Sequence, residues 1–179
     1  MKTYSAPSSD LLDCIERIQR EYHLDLHGVT VGALFVFDDD ADECVLKHQG
    51  YPAAAVVRLT PVRDRALGVA DALIVVDRSH WQMQSVAQKN ALIDHELTHL
   101  TRVLDAETGR PKVDAVDRPK LKMRMHDHQL GWFDEIAQRH GEASPEMRQA
   151  KQLVEQTEQL YFDFGPRKPR TKRDEARPH

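Results

Sequence analysis

His95, Glu96 and His99 stand in the order His-Glu-Leu-Thr-His, an H-E-x-x-H motif. On a helix, residues four apart share a face, so His95 and His99 can reach one metal ion. Glu96 then projects beside that ion, where it can hold a water. Zinc takes imidazole nitrogens, and a catalytic zinc keeps one position open for water, whose pKa it lowers towards 7. A carboxylate in that place takes the water's proton and passes it to a leaving nitrogen. These five residues point to a zinc-dependent hydrolase. An amide bond is the expected target, with metal-assisted hydrolysis of another substrate as an alternative, because the motif specifies the hydrolytic apparatus better than the substrate. One ion is expected, with His95 and His99 as ligands and Glu96 as the catalytic base.

Such a site needs a helix under the motif and a third ligand. Ser85-Val86-Ala87-Gln88 has the form of a capping box, and neither Pro nor Gly occurs from there to Leu104. Ile93, Leu97, Leu100 and Leu104 recur at spacings of four, three and four and predict a buried stripe. At about 100° per residue, His95 and His99 lie on nearly the opposite side. The spacing thus predicts a helix from Ser85 to Leu104 that turns its histidines into a cleft. Two satisfied surface histidines are the competing reading, which the motif's helical setting disfavours.

For the third ligand the chain offers His126 and His128. Asp127 suits an N-cap for a helix from His128 to about His140, and Gly141 suits its C-terminal stop. His128 is preferred because a ligand on a helix has better-defined geometry than one on a loop. His126 is the alternative third ligand, and otherwise a group contacting substrate. Asp127 can instead accept a hydrogen bond from a ligand imidazole. Glu107 and Glu135 are weaker candidates. An oxyanion stabiliser besides the metal is required, and His80, Tyr161 or the unused member of the 126/128 pair could supply it.

The remaining elements must position these groups. Leu11, Ile15, Ile18 and Tyr22 predict an amphipathic helix after a short lead, residues 1–7. Residues 29–37, 55–60 and 71–77 read as strands from their β-branched and apolar content. Short strands are expected at 44–48 and, from strict alternation, at 120–125. Residues 63–68 read as a polar connection. The strand 72–76 could pair with an extended peptide if it lies at a sheet edge. Ser144-Pro145 opens a last helix. The fold class expected is α+β: a small mixed sheet of three to five strands, the motif helix and three further helices. The acids of residues 38–43 lack the spacing and the glycine of a calcium loop and read as a solvated turn.

At 179 residues the chain suits one domain, expected over residues 8–165. Net charge is −4; residues 166–179 carry +4, leaving −8 on the rest. The balance argues against a nucleic-acid binder, though the basic tail at 167–177 reads as a disordered end with weak potential for DNA. Cys14 and Cys44 form no disulfide framework, no apolar run reaches a membrane span, and the N-terminus has no signal-peptide core. A soluble, cytoplasmic protein with reduced cysteines is expected.

Residues 71–77, Ala91 to Leu100, His126-Asp127-His128 and Phe133 to Gly141 resemble the phage metallopeptidases, which are similar in layout to SprT-like minimal zinc peptidases. The resemblance spans roughly residues 25 to 142. It implies a phage- or prophage-related zinc peptidase with a compact α+β fold, a strand above the active-site helix, and a later helix bringing the last histidine. Carried over, His95, His99 and one of the 126–128 pair bind zinc and Glu96 is the base. Thr98 departs from the cysteine of many relatives at a position that is not a ligand. A second hypothesis is a non-catalytic, zinc-stabilised binding module that contacts DNA through its tail.

Overall fold

A computed structural model of the chain describes residues 1–40, 44–127 and 132–163, with side chains as far as residue 155 in the last helix. The architecture is α+β, a four-stranded mixed sheet with helices and two small two-stranded sheets. The basic tail lies outside the described residues.

The lead contributes a strand, β1 (Thr3–Ser5), and the first amphipathic pattern forms α1 (Ser9–Tyr22). Leu11, Cys14, Ile15 and Ile18 face the core, whereas Tyr22 is exposed under the Arg139 guanidinium. The main sheet adds β2 (Val31–Phe37), β5 (Ala55–Leu59) and β6 (Ala72–Asp77) in the order β1-β2-β6-β5. A small hairpin, β3 (Lys47–His48) with β4 (Tyr51–Pro52), precedes β5. Its tip, Gln49-Gly50, has positive φ at both residues, as a two-residue hairpin turn requires.

β6 runs parallel to β2 and antiparallel to β5, so it is an interior strand and has no free edge for a peptide. Its run Ala-Leu-Ile-Val-Val suits that central place. β5 is an edge strand instead, as is β1 on the other side of the sheet. The expected polar connection after it contains α2 (Val62–Ala66), on which Arg65 is buried against Asp71 and Asp114. A short helix, α3 (Arg78–Met83), follows β6, capped by Asp77.

The motif helix is α4 (Val86–Thr98), opened by the expected reciprocal capping box between Ser85 and Gln88. It ends six residues before the expected stop. Ile93 and Leu97 are buried as predicted; Leu100 is buried too, but on a strand, and Leu104 is exposed. The chain after His99 instead forms β7 (Leu100–Arg102), paired with β8 (Leu121–Met123). Periodicity of three and four cannot reveal that stop, because Leu100 is buried in either geometry.

The helix expected from His128 is α5 (Asp134–His140), starting six residues later. Asp127 still serves its start, its Oδ2 accepting from the Asp134 N–H at 3.2 Å. Gly141 ends α5 with φ of 52°. The last helix, α6 (Pro145–Asp163), begins as predicted, with Ser144 Oγ accepting from the Met147 N–H. Ile93, Leu97 and Leu100 join α1 and the sheet residues Ile74 and Val76 in one core, so α4 packs across the sheet with α1 beside it.

Candidate active site

The site grows from the end of α4. Thr98 is its last helical residue, and His99 keeps αR geometry at the cap. At that point the backbone turns into the β7–β8 ladder. The Arg124 N–H donates to the His99 carbonyl at 2.7 Å, and His99 Nδ1 donates to the Arg124 carbonyl at 2.9 Å. This double link extends the Leu100–Met123 pairing by one step and brings His126, two residues beyond Arg124, to the motif. The early helix stop therefore helps to assemble the site.

His95, His99 and His126 each place a ring nitrogen so that all three lie within 4.8 Å of one another. The Nε2 atoms of His95 and His126 are 3.3 Å apart. The ring of Phe133, fully buried, lies against all three, with centroid separations of 5.0, 4.8 and 4.9 Å to His95, His99 and His126. It is an apolar floor that holds each imidazole and keeps water from behind it.

Hydrogen bonds select the tautomers. A carbonyl only accepts, so His99 Nδ1 carries hydrogen and its Nε2 holds a lone pair. His95 Nδ1 donates to Glu146 Oε1 at 2.7 Å, which likewise turns Nε2 towards the cluster. Glu146 is 1% exposed, also accepts from the Phe133 N–H, and leaves Oε2 without a partner among the described residues. Sequence reasoning missed Glu146, which reads only as an acid in the first turn of a helix. No spacing signal links it to a histidine 51 residues earlier.

Glu96 is buried, and its Oε2 accepts from the Val57 N–H at 2.7 Å. The ladder explains that bond. Thr60 and Ala54 bond across to Asp71 and Asp77, so Val57, out of step with them, aims its N–H at the free edge of β5. The carboxylate of Glu96 therefore sits against the sheet edge. Burial pushes its pKa up, against the pull of His95 and the Val57 N–H.

The three rings differ in basicity. Burial opposes charge on His95, yet the Glu146 bond and the Glu96, Glu146 and Asp94 carboxylates hold its pKa above the usual value. Burial depresses His99 to about 4, against its bond to Arg124, with His95, His126 and His48 adding to the depression. Burial and His95 lower His126 as well. Without a metal, the cluster thus holds a proton preferentially on His95, between Glu146 and the Nε2 of His126.

These residues fit a zinc ion. Tetrahedral zinc with Zn–N bonds of roughly 2.0–2.1 Å sets its nitrogens roughly 3.3–3.4 Å apart, close to the 3.3 Å between His95 and His126. Imidazole donors suit this metal, and the buried carboxylates of Glu96 and Glu146 favour a cation beside them.

Other expected residues fall as follows. His128, the preferred third ligand, lies outside the described residues, as does the side chain of Tyr161. Asp127 pairs with Arg124 and supports α5. Glu135 pairs with Arg124 and Arg139, and Glu107 is exposed on the 105–120 loop. His80 stands with Cys44 and Asp77, a different cluster from the three histidines. Asp94, one residue before the motif, is fully buried and joins His23 of the α1 end to Arg139 and His140 of α5. It fixes the rotation of α4.

Among the described residues no helix is long and apolar enough to cross a membrane. A family model described as "Putative phage metallopeptidase" matches residues 3–161. No curated protein and no solved structure matches the chain.

Proposed function

The chain belongs to the phage metallopeptidase family, and on that premise we propose that it is a zinc-dependent peptidase with His95, His99 and His126 as metal ligands and Glu96 as the base. The convergence of three imidazole nitrogens within 4.8 Å, one turn from a buried glutamate, carries this reading. His126 takes the third place because it stands in the cluster.

A bound zinc ion would supply a Lewis acid that polarises a scissile carbonyl and acidifies water. The protein's own groups do the rest. Glu146 and the Arg124 carbonyl keep hydrogen on the Nδ1 atoms of His95 and His99, so both rings offer Nε2 as donor. Phe133 excludes water behind the rings. Glu96, made more basic by burial, takes a proton from the attacking water on its carboxylate and returns it to the leaving nitrogen. The Val57 N–H holds one oxygen of that carboxylate and so aims the other.

β5 is the strand suited to an extended substrate, in place of the interior β6. Ala55, Val57 and Leu59 share the register position whose backbone groups face outward, and among the described residues no strand pairs with that edge. A peptide added there by main-chain hydrogen bonds to Ala55 and Leu59 passes the carboxylate of Glu96, which itself holds the Val57 N–H.

Metal analysis of the purified protein beside His95→Ala and His126→Ala, with hydrolysis of an unstructured protein as readout, tests the reading. One zinc per three-histidine centre is expected in the wild type and its loss in either variant, together with hydrolysis. A wild type that binds no metal at this centre would sink it.

A further inference from the structure

A second group of metal-ligand types occurs away from the three histidines. Cys44 Sγ, a carboxylate oxygen of Asp77 and a ring nitrogen of His80 all lie within 4.8 Å of one another. They come from three places in the fold: the segment before β3, the last residue of β6 and the short helix α3. Asp77 is 1% exposed and is oriented before any ion arrives. Its Oδ2 accepts from the N–H groups of Val45 and Leu46, and its Oδ1 accepts from the His80 N–H at 3.1 Å. Each carboxylate oxygen has two lone pairs, so Oδ1 keeps one for a further partner.

We propose that Cys44, Asp77 and His80 form a second metal site, sharing no residue with the three-histidine centre, for a borderline-soft divalent ion such as Zn2+. The donor set of one sulfur, one nitrogen and one oxygen is one that zinc takes, with water completing four-coordination. Binding breaks the Cys44 S–H bond; the proton goes to solvent and the thiolate electron pair to the ion. Thiolate and carboxylate then neutralise the two positive charges, and His80 binds as a neutral ring. As a thiol, Cys44 lies 3.5 Å from the Leu46 carbonyl and 3.2 Å from that of Ala53. Burial and Asp77 hold that thiol above its ordinary pKa, so the ion must drive the proton off and binding strengthens as pH rises. The site's role is mechanical. It ties the 44–54 segment to the end of β6, just before β5 delivers Val57 to Glu96.

The test is a Co2+ titration of the full chain, stripped of metal and kept reduced. Two equivalents should bind, and at saturation the thiolate-to-cobalt charge-transfer band should have the intensity of one thiolate-bound ion per chain. The band should vanish in Cys44→Ser and remain in Cys14→Ser. It should also remain in a His95→Ala/His99→Ala variant, because the histidine centre has no sulfur; failure of either centre is therefore seen separately. A wild type with no sulfur band at saturating cobalt overturns the site, as does a band that survives Cys44→Ser. Should that variant not fold, alkylation of the wild type with peptide mapping decides. Zn2+ must slow modification of Cys44, and equal rates with and without the ion refute the proposal.

Discussion

His95 and Glu146 are joined across 51 residues, Nδ1 to Oε1 at 2.7 Å, with the carboxylate 1% exposed. The bond ties the first turn of α6 to the motif helix and settles which nitrogen of His95 faces the cluster. Carboxylates behind metal-bound imidazoles commonly set affinity by about 10–100-fold. Glu146→Gln keeps the size and an acceptor but loses the charge. Its zinc affinity, measured by competition with a chromophoric chelator, should fall about 10–100-fold with an unchanged circular dichroism spectrum. Wild-type affinity in this variant would remove the orienting role.

Glu96→Gln separates metal binding from turnover. The amide oxygen can still accept from the Val57 N–H, so the helix and the zinc content should be preserved. Hydrolysis should fall by about 10²–10⁴-fold, the usual contribution of a general base. Full activity in a zinc-loaded variant would exclude Glu96 as the base.

Asp94 anchors the helix through the Arg139 guanidinium and the imidazoles of His23 and His140. Burial works against its charge, but His23, Arg139 and His140 bring its pKa down to about 2. Asp94→Asn leaves those partners facing a neutral amide. The expected loss is about 3 kcal/mol of unfolding free energy, in the range for breaking a buried ion pair. Urea denaturation measures it. A change below about 0.5 kcal/mol, the scale of ordinary surface substitutions, would show that α4 is held by apolar packing alone.

The metal-free cluster should make stability depend on pH with opposite signs on either side of pH 6.5, the ordinary imidazole value. His99, depressed to about 4, contributes stability that is present above 6.5 and lost as pH falls towards 4. His126 acts in the same direction. His95, raised, contributes stability that is present below 6.5 and lost as pH rises through its folded pKa. In chelator, the contribution of these three groups therefore peaks near pH 6.5. Urea midpoints of the wild type from pH 5 to 8, set against a His95→Ala/His99→Ala/His126→Ala variant, isolate it. Zinc, which needs neutral rings, should stabilise more as pH rises. A difference between wild type and variant that does not vary with pH would contradict these assignments.

Much of this protein was legible in local pattern. The motif fixed which residues share a helical turn, and Ser85 and Gln88 marked where that helix begins, because a capping box is complete within four residues. β-branched runs marked the strands, and Ser144-Pro145 marked α6. Local pattern failed where two distant segments compete for the same residues. The helix stops at Thr98 because the His99 backbone pairs with Arg124, and α5 starts late, at Asp134. Neither event leaves a mark in periodicity, since Leu100 is buried on a strand as it would be on a helix.

By itself, the sequence determined the type of chemistry: two imidazoles and a carboxylate on adjacent turns of a capped helix. Tertiary structure decided their company. It put β6 inside the sheet and β5 at an edge, placed His126 beside His95, and put Glu146 behind it. It also drew His80 away to Cys44 and Asp77. The reason is that helix geometry is set within a few residues by backbone hydrogen bonds. Which side chains meet across 30 or 50 residues depends on strand register and packing, and no local spacing encodes that.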